Sequence, residues 1–194
     1  MNDAHAQFCA SYEWRAVLRD EILPAIIGAN DLGADLLEVG PGYGATTDYL
    51  RERVTQVTAV EIHPELAAGL AERFAGTNVE IVEGDATDLA FAADRFSAAT
   101  SFFMLHHVPT PELQDRLFAE VARVLRPGGL FVAADSVASD DLAAFHEDDV
   151  YNPIDPDTLA ARLTAAGFAE VEVRSMEPGW AAHAHRPAPS PASS

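Results

Sequence analysis

A chain of 194 residues with 48% hydrophobic residues has the size and composition of one globular domain with a full core. Its 12 Lys plus Arg stand against 31 Asp plus Glu, and the formal net charge of -19 repels phosphate backbones and anionic lipid surfaces, which sets nucleic-acid binding and membrane docking aside. No stretch approaches the roughly 20 apolar residues of a membrane span, and the N-terminus lacks the basic start and apolar centre of an export signal, so the expected location is the cytoplasm.

Trp14, Leu18 and Ile22 recur at spacings of four with Val17 and Ile26 beside them, so Tyr12 to Ile27 reads as an amphipathic lead-in helix bent near Pro24. Cys9, ahead of it, is the only cysteine, which excludes an intramolecular disulfide and a thiolate metal cluster; without a local partner it reads as a small packed or exposed residue rather than a nucleophile. From residue 35 onward apolar runs alternate with helical stripes, the pattern of a parallel sheet whose strands are linked by covering helices. The strands fall at Asp35 to Val39, Gln56 to Val60, Val79 to Val82, Ser97 to Phe103, Leu130 to Ala134, Glu170 to Val173 and Trp180 to His185. Helices fall at Thr46 to Val54, after His63 and Pro64, along Leu113, Leu117, Phe118 and Val121 until Arg126 to Gly129 stop it, and from Asp155 and Pro156 to Gly167. Residues 1–186 form one α/β domain with 1–34 as a helical cap, and the proline-alternating segment 187–194 reads as a disordered tail.

The first strand runs into Glu38, Val39, Gly40, Pro41, Gly42, Tyr43 and Gly44, and a helix opens just beyond. Gly42 lets a ligand approach the backbone, and the helix start offers free N–H groups at the carboxyl end of a strand, where open α/β sheets bind ligands. The spacing Gly40-x-Gly42-x-x-Ala45 also satisfies the looser dinucleotide fingerprint, so an NAD- or NADP-dependent oxidoreductase competes with a sulfonium-cofactor enzyme. Glu38 beside a pyrophosphate opposes the first and suits the cationic second. Glu61 closes the second strand, where a carboxylate accepts both hydroxyls of a ribose, and Asp85 closes the third, where a second acid can meet an adenine amino group.

The segments beginning at Leu37, Val60, Gly84, Phe102 and Leu125 resemble the ordered motifs of class I S-adenosylmethionine-dependent methyltransferases, over about Tyr12 to Arg186. Met104 to Val108 together with Leu125 to Gly129 resemble its small-molecule branch, which includes ubiquinone and menaquinone methyltransferases. The resemblance implies a single Rossmann-like domain with a seven-stranded, mostly parallel sheet, an antiparallel last strand and helices on both faces. It implies Glu38, Gly40, Pro41, Gly42, Tyr43 and Gly44 around the methionine part of the cofactor, Glu61 and Ile62 on the ribose, and Gly84, Asp85 and Ala86 at the adenine. Thr46, Ser101 and Phe102 match further cofactor contacts. The family's Asn-Pro-Pro-aromatic motif is missing, Ser101, Phe102 and Phe103 standing in its place, which disfavours base or glutamine N-methylation; a small-molecule acceptor, or one presented by another protein, is expected rather than a polymer.

A methyl on a sulfonium is already activated, so holding a nucleophile in line and excluding water can carry most of the catalysis. His106 is the candidate base for an oxygen, nitrogen or acidic-carbon acceptor. Tyr12, His107, Phe145, His146 and Tyr151 are the candidate acceptor contacts, the last three within a long segment, Asp135 to Pro153, that can form a lid. Trp14 and Phe145 also suit plain core packing. No fixed spacing joins His106, His107, His146, Glu147, Asp148 and Asp149, so no metal is expected. A cofactor-binding protein that no longer catalyses is the competing class.

Overall fold

The computed structural model describes residues 2–177 and 179–188. The lead-in, expected as one bent helix, is built in pieces: α1 (Asp3–Ala10), α2 (Tyr12–Val17), a π-helical turn at Leu18–Ile22, and α3 (Leu23–Ile27). Ser11 caps α2, its hydroxyl accepting the Trp14 N–H at 3.2 Å. The wide turn lies just ahead of Pro24, which has no N–H for the carbonyl of Asp20, and Leu23 donates to the Leu18 carbonyl instead. The bend foreseen at Pro24 is therefore an expanded turn before it.

The sheet elements follow as β1 (Asp35–Val39), α4 (Ala45–Leu50), β2 (Gln56–Glu61), α5 (Pro64–Arg73), β3 (Val79–Glu83), β4 (Phe96–Phe102), a 3-10 turn at Leu105–His107, α6 (Pro111–Val124), β5 (Leu125–Ser136), α7 (Asp140–Phe145), α8 (Pro156–Ala165), β6 (Ala169–Met176) and β7 (Gly179–His185). The strand order is β3-β2-β1-β4-β5-β7-β6, parallel from β3 to β5, with β7 antiparallel to both of its neighbours. The chain winds outward from β1 to β3, then returns to place β4 on the other side of β1. That reversal opens a crevice above the carboxyl ends of β1 and β4.

Alternation along the strands feeds two cores. Leu36 joins Leu18, Leu23, Ile26 and Leu50 on one face, while Leu37 and Val39 join Phe96, Phe118, Phe131 and Trp180 on the other. Phe131 stacks on Phe168 with ring centroids 5.5 Å apart, tying α8 and its strand to the sheet.

Several boundaries differ from the sequence reading. The helix expected over Thr46 to Val54 ends at Leu50. Arg126 to Gly129 do not simply stop α6: the chain passes straight into β5, whose pairing with β4 slips between Phe96 and Ala98. α7 forms inside the segment read as a lid, capped by the Ser139 hydroxyl on the Leu142 N–H at 3.1 Å. Of the expected disordered tail, 189–194 lie outside the described residues. Among the described residues no helix is long and apolar enough to cross a membrane.

Candidate active site

The glycine turn follows β1 at the crevice. Gly42 has φ +53, and a Cβ built on it would meet nothing within 4 Å, so its backbone faces open space in the cavity. Gly44, at φ +73, is different: a Cβ there would lie 2.8 Å from Leu70 Cδ2 and 2.9 Å from Arg73 Nη1, so its bareness serves packing against α5, and it does not line the cavity. The tip of the turn is clamped from two sides, because the Tyr43 carbonyl accepts from Arg15 at 3.1 Å and from Arg73 at 2.8 Å.

Glu38, expected at the cofactor, lies beneath the turn and away from the cavity wall. Its carboxylate accepts the Thr46 hydroxyl through a very short bond and the Thr47 hydroxyl at 2.6 Å. Burial pushes its pKa up to about 7 against both hydrogen bonds, so near neutral pH it carries only part of the charge that the sequence argument relied on. Ser101 is also off the wall, fully buried, its hydroxyl without a hydrogen-bond partner among the described residues.

Glu61, at the end of β2, lines the cavity and braces it: one carboxylate oxygen accepts the Gly42 N–H at 3.2 Å and the other the His63 N–H at 3.0 Å. Asp85 lies beyond the end of β3 on the same wall, one oxygen accepting the Thr87 N–H at 2.8 Å. Gly40, Pro41, Tyr43, Thr46, Ile62, Gly84, Ala86 and Phe102 line the cavity as well, whose volume is about 530 Å³.

The far wall is built around His106. Its Nδ1 lies 2.6 Å from Asp135 Oδ1, and its backbone N–H donates to Asp135 Oδ2 at 2.9 Å. A carboxylate only accepts, so Nδ1 carries the proton and Nε2 the lone pair. Asp135, buried at the carboxyl end of β5, also accepts the Ser136 N–H at 2.8 Å. Sequence reasoning missed it by ending the strand at Ala134; a carboxylate one residue past an apolar parallel strand was the available signal. The turn carrying His106 is pinned by Gln114, which donates to the Leu105 and Asn152 carbonyls at 2.9 and 2.8 Å, and by the Asn152 N–H on the His106 carbonyl at 2.7 Å.

His107 and His146 join His106 on the wall, their ring centroids 4.2 and 4.8 Å from its own. His146 Nδ1 donates to the Leu142 carbonyl at 2.7 Å, and burial lowers its pKa. His106 Nε2 is buried, whereas a base would have to meet its acceptor there.

Aromatic rings close the cavity above. Phe8 on α1 meets Phe145 on α7 edge-on at 5.8 Å and Trp14 at 5.1 Å, and Trp14 meets Phe103 at 5.4 Å. Phe103 has φ +55, a costly conformation for a bulky residue of the kind that clusters at binding sites. Trp14 and Phe145 both line the cavity, and Trp14 also packs against the core that holds Leu18 and Leu36. Tyr12 is 75% exposed and off the wall, which removes it as an acceptor contact in this conformation. Tyr151 is also off the wall; it stacks on His146 at 5.0 Å, and its hydroxyl accepts the Ser139 N–H at 3.3 Å. Burial raises the Cys9 thiol to about 11, which keeps it protonated and a poor nucleophile on the wall it shares.

Among known proteins, the model of a family described as a methyltransferase domain matches residues 37–133, half of the chain. A demethylmenaquinone methyltransferase of Clavibacter sepedonicus is 28% identical over 86% of this chain and 76% of its own. An erythromycin 3''-O-methyltransferase of Saccharopolyspora erythraea is 30% identical over 74% of this chain, which spans about half, 53%, of that relative's length. In solved structures, the DhpI–SAH complex matches with a TM-score of 0.70 at 25% identity, over 96% of this chain and 94% of the other. An S-adenosylmethionine-dependent methyltransferase from Aquifex aeolicus shares the fold with a TM-score of 0.74 at 17% identity, over 96% and 99%.

Proposed function

The chain belongs to the methyltransferase-domain family, with S-adenosylmethionine as methyl donor, and from that premise we propose that it methylates a small, largely apolar acceptor held beneath the aromatic roof. The observation that carries this reading is the Gly42 backbone opening into the same cavity as Glu61 and Asp85 at the sheet's switch point.

The residues fit such a donor. Each Glu61 oxygen already accepts one backbone N–H and keeps lone pairs for ribose hydroxyls, and Asp85 keeps an oxygen for an amino group. Glu38 acts at one remove, tying Thr46 and Thr47 to β1 so that the helix start after the turn is fixed. Bound there, the sulfonium would supply a methyl that departs as its bonding pair stays on sulfur.

Phe8, Trp14, Phe103 and Phe145 exclude water from the cavity and press the acceptor toward the turn, so placement and desolvation do most of the work. His106 is the base of this proposal: Asp135 fixes its tautomer and stabilises the imidazolium once Nε2, buried until the histidine cluster opens toward an acceptor, takes the acceptor's proton.

The test is calorimetric titration of the purified protein with S-adenosylhomocysteine, NAD and NADP, followed by radiolabelled methyl transfer to a panel of apolar hydroxyl- and enol-bearing acceptors. Saturable binding of the adenosyl ligand alone, then label in an acceptor, is expected. Binding of only the dinucleotides would overturn the reading, and donor binding without transfer to any acceptor would leave a silent binding protein.

A further inference from the structure

We infer that His106, His107 and His146 form a binding site for a first-row divalent transition metal of the zinc class, set into the acceptor wall of the cavity. One ring nitrogen from each histidine lies within 4.8 Å of those of the other two. Ligation at about 2.0–2.1 Å puts neighbouring nitrogens about 3.4 Å apart, so the rings need to close by little more than about 1 Å.

The surroundings carry the inference further than proximity does. A metal-binding histidine presents one nitrogen to the ion while its other N–H is held by a carboxylate or a backbone carbonyl, which fixes tautomer and ring orientation. Two of the three rings are held in that way. His106 Nδ1–H donates to Asp135 Oδ1 at 2.6 Å, and His146 Nδ1–H donates to the Leu142 carbonyl at 2.7 Å. Both acceptors lack a proton to give, so Nε2 is the nitrogen that holds the lone pair in each ring. Asp149 stands 4.0 Å from His107 Nδ1 and supplies a second carboxylate to the site's outer ring. Three imidazoles without a thiolate suit zinc, cobalt or nickel rather than calcium or magnesium, which take oxygen ligands.

The three residues come from two places, the turn after β4 and the end of α7. A metal therefore also staples the helix that carries Phe145 to the sheet. Metal and proton are alternative guests of the His106 lone pair: in the loaded protein the ion, not the imidazole, would polarise an acceptor's oxygen. That consequence rests on the acceptor-site reading of the cavity; binding of the ion does not.

The experiment is titration of chelator-treated full-length protein with Co²⁺ alone, followed by visible absorption and equilibrium dialysis, with S-adenosylhomocysteine affinity measured in parallel. One equivalent of Co²⁺ with the d–d absorption of a low-coordinate nitrogen site is expected. His107→Ala and His146→Ala should each weaken uptake at least tenfold, and Asp135→Asn, which leaves all three ligands in place, about 10- to 100-fold. His183→Ala, which alters another histidine pair on β7, should leave it unchanged. Native protein without stoichiometric uptake, or uptake untouched by His146→Ala, or uptake lost only in His183→Ala, overturns the metal site. Retained S-adenosylhomocysteine binding with no metal uptake sinks this inference alone, whereas metal uptake without donor binding sinks the methyltransferase mechanism and spares it.

Discussion

His106 and Asp135, 29 residues apart in the chain, meet as a buried pair in which one carboxylate holds both the ring and the backbone N–H of the histidine, at 2.6 and 2.9 Å. β4 and β5 are neighbours in the sheet, so their carboxyl ends deliver the two residues to one point. If His106 takes the acceptor's proton, Asp135→Asn and His106→Ala should each lower kcat about 100-fold, within the usual range for a positioned base, while S-adenosylhomocysteine affinity stays. Steady-state rates against pH check this; a His106→Ala enzyme with unchanged turnover and pH profile would leave placement as the whole mechanism.

Two glycines two residues apart, Gly42 and Gly44, should fail in different ways. Gly42→Ala places a methyl in open cavity and an alanine at φ +53, so it should cost about 1 kcal/mol of stability and remove most of the donor's affinity. Gly44→Ala drives a methyl into Leu70 and Arg73 and should cost about 3 kcal/mol in the ligand-free protein. Thermal unfolding with and without S-adenosylhomocysteine separates them: the first loses the ligand-induced shift, the second starts from a lower Tm.

Substitutions at Glu61 can divide its bracing of the backbone from the donor binding proposed for it. Glu61→Gln keeps oxygen for one of the two N–H groups and should weaken donor binding at least tenfold with a small change in ligand-free Tm. Glu61→Ala abandons both N–H groups and should also destabilise the ligand-free protein by about 1–3 kcal/mol. Equal loss of Tm in both variants would show the carboxylate to be structural only.

Stability should carry a pH signature of Glu38. Its folded pKa, about 7, lies above the ordinary 4.5, so between those values the folded chain holds a proton that the unfolded chain has released. The favourable contribution is fully present below about 4.5 and is lost as pH rises through about 7, a change of about 3 kcal/mol. Denaturant unfolding of the native protein and Glu38→Gln across pH 4 to 8 should show native stability falling relative to the variant; parallel curves would refute it.

The roof can be tested without touching the donor site. Phe145→Ala removes the edge-on contact with Phe8 and opens the cavity above the acceptor wall. It should raise the acceptor KM and leave S-adenosylhomocysteine affinity within about twofold, as read from paired kinetics and calorimetry.

The sequence by itself determined the sheet and the cavity wall that the glycine turn, Glu61 and Asp85 form. Strand, glycine turn and helix start are neighbours along the chain, and the apolar runs of the central strands β1 and β2 carry their own record of being buried on both faces. Glu61 and Asp85 were legible for the same reason, since a strand's carboxyl end is a local feature and open sheets collect ligands there. Tertiary structure decided the rest. Glu38 points beneath the turn because Thr46 and Thr47 offer hydroxyls there, a choice of face that a strand's end residue does not announce. Asp135 joins His106, and His146 joins both, only because β5 lies beside β4 and α7 folds back over them. Trp14, Phe8 and Phe145 become a roof only when the lead-in and α7 meet. Local sequence fixes backbone propensity and burial, because those are properties of a few adjacent residues; chemistry between side chains far apart in the chain exists only once packing has paid their loop-closure entropy and chosen their partners.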